Sequence, residues 1–290
     1  MTTLGAVFRP QLPPERLRSV VRTAEASGLD ELWLWEDCFL ESGIATAAAA
    51  LAWTERLRIG VGLLPVPLRN VALTAMEAAT LHRLFPDRVT LAVGHGIQDW
   101  MAQAGAKAAS PLTLLDEYTA ALRALLRGER VTTEGRYVRL DGVALDWPPA
   151  TAPPLFTGAL GPRTLRLAGR VADGTVLDAH VGTDGVREAL RVVGEGRAEA
   201  GRTGGHAVVS YILTATGPGA AERLAAELEH EGISAVPDVA VAGDAEAVAG
   251  AVRRRAEAGA GTVVLQPTGD EPDPEGFVRF AAEEVRPLVG

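Results

Sequence analysis

An α/β fold closed as a (β/α)8 TIM barrel is what this sequence predicts, and three observations carry it. Eight short apolar runs of the kind buried on both faces recur along the chain. Nearly all of them are separated by segments whose apolar residues repeat at helical spacing. The alternation resumes after every interruption, so residues 1–290 read as a single domain.

The unit at 56–96 sets the pattern. Residues 58–64 are apolar and rich in branched residues and glycine, as expected of a buried strand. Residues 71–84 repeat Leu73, Met76, Leu81 and Leu84 at helical spacing, with alanine filling the close contacts. Pro86 and Asp87 stop that helix, and 89–93 form a second strand ending in Gly94, His95 and Gly96. A strand, a helix and a parallel strand make one right-handed crossover.

Upstream, residues 4–8 are the first strand. A helix at 15–27 shows Leu17, Val20, Val21 and Ala24 on one face and stops at Gly28. The second strand is 31–35, and an alanine-rich helix follows at 44–53. Downstream, 97–109 reads as loop or short helix, and Ser110 with Pro111 opens a long helix to 126. Residues 128–147 break the rhythm with β-branched and aromatic alternation around Gly135 and Gly142, which predicts an inserted hairpin. The proline-rich stretch 148–154 is a stiff linker within the domain. Four more strands follow at 155–157, 174–177, 208–214 and 262–265. Their helices open at Gly161 and run through 168, 186–200, 218–230, from Asp244 through 258, and 277–285.

Composition narrows the function. Hydrophobic residues make up 47% of the chain, enough for a large core, and the net charge of −9 argues against nucleic acid or an anionic membrane as main partner. Lys107 is the only lysine, in a polar loop, which leaves Schiff-base chemistry one poor candidate. Cys38 is the only cysteine, which excludes an intrachain disulfide and a multi-cysteine metal site. The five histidines are scattered without zinc-ligand spacing, so no metal is expected. No signal peptide and no apolar stretch of ~18 residues is evident, so a cytoplasmic protein is expected.

In such a barrel the chemistry sits where strands end. Those positions carry Arg9, Glu36-Asp37-Cys38, Leu63-Leu64-Pro65, His95-Gly96-Ile97, Asp178-Ala179-His180 and Gln266. The loop Gly158-Ala159-Leu160-Gly161-Pro162-Arg163 joins a strand to a helix whose first turn offers unpaired N–H groups, and it suits a phosphate. It equally suits a tight turn with a solvated Arg. Asp37 reads either as an acid or base or as a loop carboxylate, and His95, between two glycines, reads either as a site group or as a loop histidine. Gly94-x-Gly96 lacks the third glycine of a dinucleotide fingerprint.

Taken together, WEDC at 35–38, RLRIGVGLLPVPLRN at 56–70, TAMEAATLHRLFPDRVTLAVGHG at 74–96, GPRTLRLAGRVADGTVLDA at 161–179 and VAGDAEAVAGAVRRRAEAGAGTVVLQP at 241–267 resemble the bacterial luciferase-like monooxygenase superfamily. The resemblance covers essentially the whole chain. It implies a flavin or deazaflavin in the barrel mouth, with monooxygenation using reduced FMN or hydride transfer by the deazaflavin coenzyme F420. Carried over by position, it implies a phosphate site at Gly158, Ala159, Leu160, Gly161, Pro162 and Arg163. It implies a ring over the end of the third strand at Gly62, Leu63 and Leu64, near Gly94 and Gly96, with a bulge and a non-prolyl cis peptide at Gly62-Leu63. Asp37 matches an acidic position beside the ring, and a homodimer through the helices at 44–53 and 71–84 is implied.

The sequence departs from relatives at two positions. Cys38 stands where a His is frequent, which leaves His95 as the candidate proton group, and Ile97 stands where some sugar-phosphate dehydrogenases carry Glu. The segment 230–243 is short for a full substrate lid. The expected function is therefore an F420-dependent oxidoreductase acting on a small organic substrate, with Asp37 and His95 as catalytic groups. The alternatives are an FMN-dependent monooxygenase, a non-redox barrel enzyme using the same two groups, and a non-catalytic cofactor-binding protein.

Overall fold

The predicted alternation folds as read. The computed structural model describes residues 2–233 and 235–289. Its elements run β1 (Thr3–Val7), α1 (Leu17–Ser27), β2 (Glu31–Leu34), α2 (Gly43–Ala52), β3 (Arg58–Pro65), α3 (Val71–Leu84) and β4 (Val89–Gly94). Next come α4 (Gln98–Gln103), α5 (Pro111–Leu126), β5 (Val131–Glu134), β6 (Arg139–Val143), β7 (Phe156–Gly158), α6 (Pro162–Val171), β8 (Gly174–Leu177) and α7 (Thr183–Glu199). The chain ends with β9 (Ala207–Ala215), α8 (Ala220–His230), β10 (Ala240–Ala242), α9 (Ala245–Glu257), β11 (Thr262–Pro267), α10 (Pro274–Arg279) and α11 (Arg286–Val289).

Parallel pairing runs β11-β1-β2-β3-β4-β7-β8, and β9 joins β8 to β11, which closes an eight-stranded barrel. The hairpin expected at 128–147 is the separate antiparallel pair β5–β6. One element goes beyond the sequence reading: β10 pairs with 213–215 of β9, on the edge that pairs with β8 at 207–210. Of the two readings after Gly96, α4 is the short helix. Among the described residues no helix is long and apolar enough to cross a membrane.

Alternation along the strands sorts apolar residues into two cores. Leu4, Ala6, Leu32, Leu34, Ile59 and Val61 point outward under the helices. Val7, Trp33, Ala92, Val176, Tyr211 and Val264 point inward and fill the barrel. Trp33 is the largest of these and is 1% exposed. Its indole lies so close to the neighbouring strands that a Cβ on Gly60 would sit 2.4 Å from it, and one on Gly5 3.0 Å. Its Nε1–H donates to Glu31 at 2.8 Å, so the one polar atom of the plug is satisfied.

Helix α3 departs from the expected apolar face. Leu73, Met76 and Leu84 are 46%, 58% and 66% exposed, while Val71, Ala75, Ala78, Ala79 and Leu81 are buried. The small residues form the inner face because they let α3 settle against α5, where Tyr118 donates its hydroxyl hydrogen to Thr74 at 2.7 Å. Closeness of the same kind joins α6 to α7. A Cβ on Gly169 would lie 2.1 Å from the Val193 carbonyl oxygen, and one on Gly196 2.0 Å from that of Arg166. Both obstacles are backbone. Gly196→Ala should therefore lower the unfolding free energy by about 1–3 kcal/mol through overpacking, measured by urea denaturation. An unchanged midpoint would show that α6 and α7 can separate without cost.

Candidate functional site

Strand β3 builds the floor of the site. Its pairing with β4 is regular to Val61, which faces Leu91, then slips so that Leu64 faces Val93. One extra residue is therefore inserted, and two consecutive residues face inward. Gly62 and Leu63 line the barrel mouth, while Leu64 is 1% exposed in the outer core. The Gly62–Leu63 peptide is cis, at the position the resemblance implies, and Cys38–Phe39 is a second non-prolyl cis peptide.

The mouth is a cavity of about 630 Å³ at the carboxyl ends of the strands. That volume lies in the range of small-molecule and cofactor sites. Leu63 lies across one half of it. A Cβ on Gly94 would meet Leu63 Cδ2 at 2.4 Å, and one on Gly158 at 2.2 Å, so both glycines make room for this leucine. Gly158, Ala159, Leu160 and Gly161 continue the wall to the N-terminus of α6, where Gly161 supplies no side-chain cap. The first-turn N–H groups of that helix, together with Thr164 in the wall, make a natural anion site.

His95 stands beside this turn. Its Nε2 is 3.2 Å from Thr164 Oγ1, and its Nδ1 is buried with no hydrogen-bond partner. Burial holds its pKa below the ordinary histidine value, so at neutral pH the ring is uncharged.

The other half of the mouth is polar. Asp37 follows β2, and its Oδ2 accepts from Trp35 Nε1 at 3.0 Å. Burial raises its pKa, and Glu231 pushes in the same direction. The Trp35 ring leans on Tyr211, centroids 5.9 Å apart. Beyond β8, Asp178 Oδ1 accepts from the His180 backbone N–H at 2.9 Å and lies 3.2 Å from His180 Nδ1. That contact raises the His180 pKa, with Glu231 adding to the effect at 3.8 Å.

The predicted site residues thus divide. Asp37, His95, Gly62, Leu63, Gly96, Gly158, Ala159, Leu160 and Gly161 share the cavity wall. Leu64, Gly94, Pro162 and Arg163 stand outside it. Leu64 is turned away by the bulge, and Gly94 lies beneath Leu63. Arg163 is exposed and lines a separate surface groove with Asp116 and Arg170. Cys38 is half-buried, with its thiol pKa raised by burial and by Glu36 and Asp37, which keeps it from acting as a thiolate. Gln11, Tyr211 and Glu231 line the cavity without having been singled out: Gln11 lies in the loop after β1, Tyr211 within β9 and Glu231 at the end of α8, so a search of strand ends does not find the last two. Among the described residues no cluster of metal ligands is found.

An apolar floor at Leu63, an uncapped helix start and the Thr164 hydroxyl in one cavity fit a flat ring with a phosphate tail.

Comparisons with known proteins bear on the family and the fold. The sequence profile of the family described as luciferase-like monooxygenase matches residues 3–262. A 5,10-methylenetetrahydromethanopterin reductase of Methanolobus tindarius is 30% identical over 200 residues, covering 69% of this chain and 61% of that protein. The chain therefore spans less than two thirds of that relative's length. An F420-dependent secondary alcohol dehydrogenase, solved with an F420-acetone adduct, superposes with a TM-score of 0.87 at 24% identity, covering 100% of this chain and 99% of that one. The oxygenating constituent of a 3,6-diketocamphane monooxygenase from a Pseudomonas putida plasmid, in complex with FMN, gives a TM-score of 0.75 at 19% identity, covering 100% and 99%. At these identities the two structures are likenesses of fold.

The His180–Asp178 contact makes a pH-dependent contribution to stability. The folded pKa of His180 is raised above 6.5, so the stabilisation is complete below the unfolded value and disappears as pH rises through the folded one. His180→Asn should lower the urea midpoint at about pH 6 and leave it unchanged near pH 9. An equal loss at both values would mean that the charge of His180 contributes nothing.

Proposed function

The chain belongs to the luciferase-like monooxygenase family, and from that premise we propose that it uses coenzyme F420 to pass hydride to or from a small organic substrate. The observation that carries this reading is the β3 bulge, which lays Leu63 as an apolar floor opposite the uncapped start of α6 within one cavity. The fold likeness to an F420-dependent alcohol dehydrogenase supports it. When bound, the cofactor supplies the redox chemistry, and the protein supplies binding, orientation and proton management.

Each task falls to named groups. Leu63 covers one face of a flat ring, which leaves the other face to the substrate. The first-turn N–H groups of α6 and the Thr164 hydroxyl receive the phosphate, and Arg163 does not reach it. Burial favours the uncharged form of His95, whose Nε2 meets the Thr164 hydroxyl at 3.2 Å in the cavity wall. Asp37 binds a proton more readily than an exposed carboxylate, and Trp35 Nε1 fixes its orientation. The second reading is FMN-dependent monooxygenation, favoured by the likeness to an FMN complex on the same fold.

Titration separates the two. F420 should quench on binding at micromolar concentration and FMN should bind more weakly; tighter FMN binding would move the function to the second reading, and binding of neither would sink both. Arg163→Ala should leave cofactor affinity unchanged. His95→Ala should retain binding and slow turnover by about 10²-fold or more, and an unaltered rate would remove His95 from the chemistry.

We further propose a homodimer formed through α2 and the exposed apolar face of α3. Leu73, Met76 and Leu84 lie on that face, with Leu68 exposed nearby. Light scattering should give twice the 30.3 kDa chain mass, and Met76→Glu with Leu84→Glu should return it to one chain. A monomer in the unmodified protein would refute this.

A further inference from the structure

The cavity has two chemically distinct halves, and the polar half has a sign. Arg9 is its only Lys or Arg lining residue among those described, and it is already occupied. Arg9 donates to Glu227 at 2.5 Å, to the Pro267 carbonyl at 3.0 Å and to Gln11 at 3.3 Å. Glu36 is likewise neutralised by Arg69 at 2.6 Å, behind the wall. Asp37, Asp178 and Glu231 have no Lys or Arg partner among the described residues. His180 stands between two of them and His230 precedes Glu231, so three carboxylates face two imidazoles on this side. A concave, low-dielectric wall focuses that field on whatever enters.

A second observation points to a ligand. Gln266, at the end of β11, is 8% exposed and lines the cavity, and its carboxamide makes no hydrogen bond within the described protein. With no partner in the described protein, that carboxamide is open to a polar group bound in the cavity. The barrel order places β9 between β8 and β11, so Asp178 and Gln266 are separated by two inter-strand spacings, roughly 10 Å. The carboxylate end of that span is held. The fully buried Arg255 donates to the Val181 carbonyl, just past Asp178 and His180, and at 2.7 Å to the Asp238 carbonyl, beyond Glu231.

We propose that the substrate is a small organic cation, a protonated amine whose nitrogen meets Asp178 and Glu231 while a hydroxyl or carbonyl at its far end meets Gln266. This rests on the oxidoreductase reading only in leaving the glycine-rich half to the cofactor. This half disfavours anionic substrates, because its one Arg is paired with Glu227 and its carboxylates outnumber its imidazoles.

Three probes of matched shape test this by isothermal titration calorimetry: 4-hydroxybenzylamine, 4-hydroxybenzyl alcohol and 4-hydroxybenzoate. The amine should bind about tenfold more tightly than the alcohol, and the benzoate more weakly than either. Asp178→Asn should remove the preference for the amine, and Gln266→Leu should weaken amine and alcohol together, with both variants keeping the wild-type urea midpoint within error or being compared at equal folded fraction. Benzoate binding as tightly as the amine, an amine preference that survives Asp178→Asn, or binding of none of the three would overturn the proposal. The F420 titration is run separately on the same variants. Loss of cofactor binding with the amine preference intact would strike the cofactor reading alone, and the reverse result would strike this one alone.

Discussion

One side chain sets the terms for the barrel. Trp33 fills the interior, and the strands on either side of it approach closely only because Gly5 and Gly60 present no Cβ to the indole. Burying so large a side chain contributes more than any other single inward residue. It also fixes the level of the floor, because Tyr211 packs edge-on against Trp33 at 6.0 Å and carries Trp35 on its other side. The stack rises from plug to mouth, and Asp37 is hydrogen-bonded to its top member. The position of a candidate acid therefore traces back to how the core is filled.

Above that plug the mouth divides by strand. The β3, β4 and β7 side is glycine and leucine, with the start of α6 as its polar end. The β8, β9, β11 and β1 side bears carboxylates, an amide and an imidazole. The division follows from the barrel's own geometry, since neighbouring strands deliver neighbouring residues and distant ones meet only across the opening. A ring lying on the first side would present its exposed face to the second. Orientation of two reactants by a rigid scaffold is a large part of what such an enzyme supplies.

Much of the fold was legible because its signals are local. Buried runs, helix stops and Ser110-Pro111 all act within a few residues, and the strands fell within a residue or two of their predicted places. The outward face of α3 was misread because periodicity finds an apolar stripe without saying whether size or smallness wins the inner side. Here tight packing against α5 favoured alanine over leucine. In the site, Gly62 and Leu63 were readable from the resemblance, but the fate of Leu64 depended on a bulge that flips alternation by one residue. Arg163 lies outside the cavity wall for a related reason. A residue's position in a turn does not reveal which side of the helix its side chain takes. The partnering of Arg9 by Glu227 and of Glu36 by Arg69 joins residues far apart in sequence, and no pattern along the chain announces it.

The leucine at the floor has an evolutionary corollary. Gly94 and Gly158 lie on different strands and are separated by 64 positions, yet the same Leu63 methyl group occupies the space either would need for a side chain. The three positions therefore form one unit of inheritance. A shorter residue 63 would leave room for a side chain at both positions, and with leucine there a side chain at either must displace the same methyl group. Retention of glycine at these positions would then record the history of a neighbouring side chain before it recorded that of a cofactor.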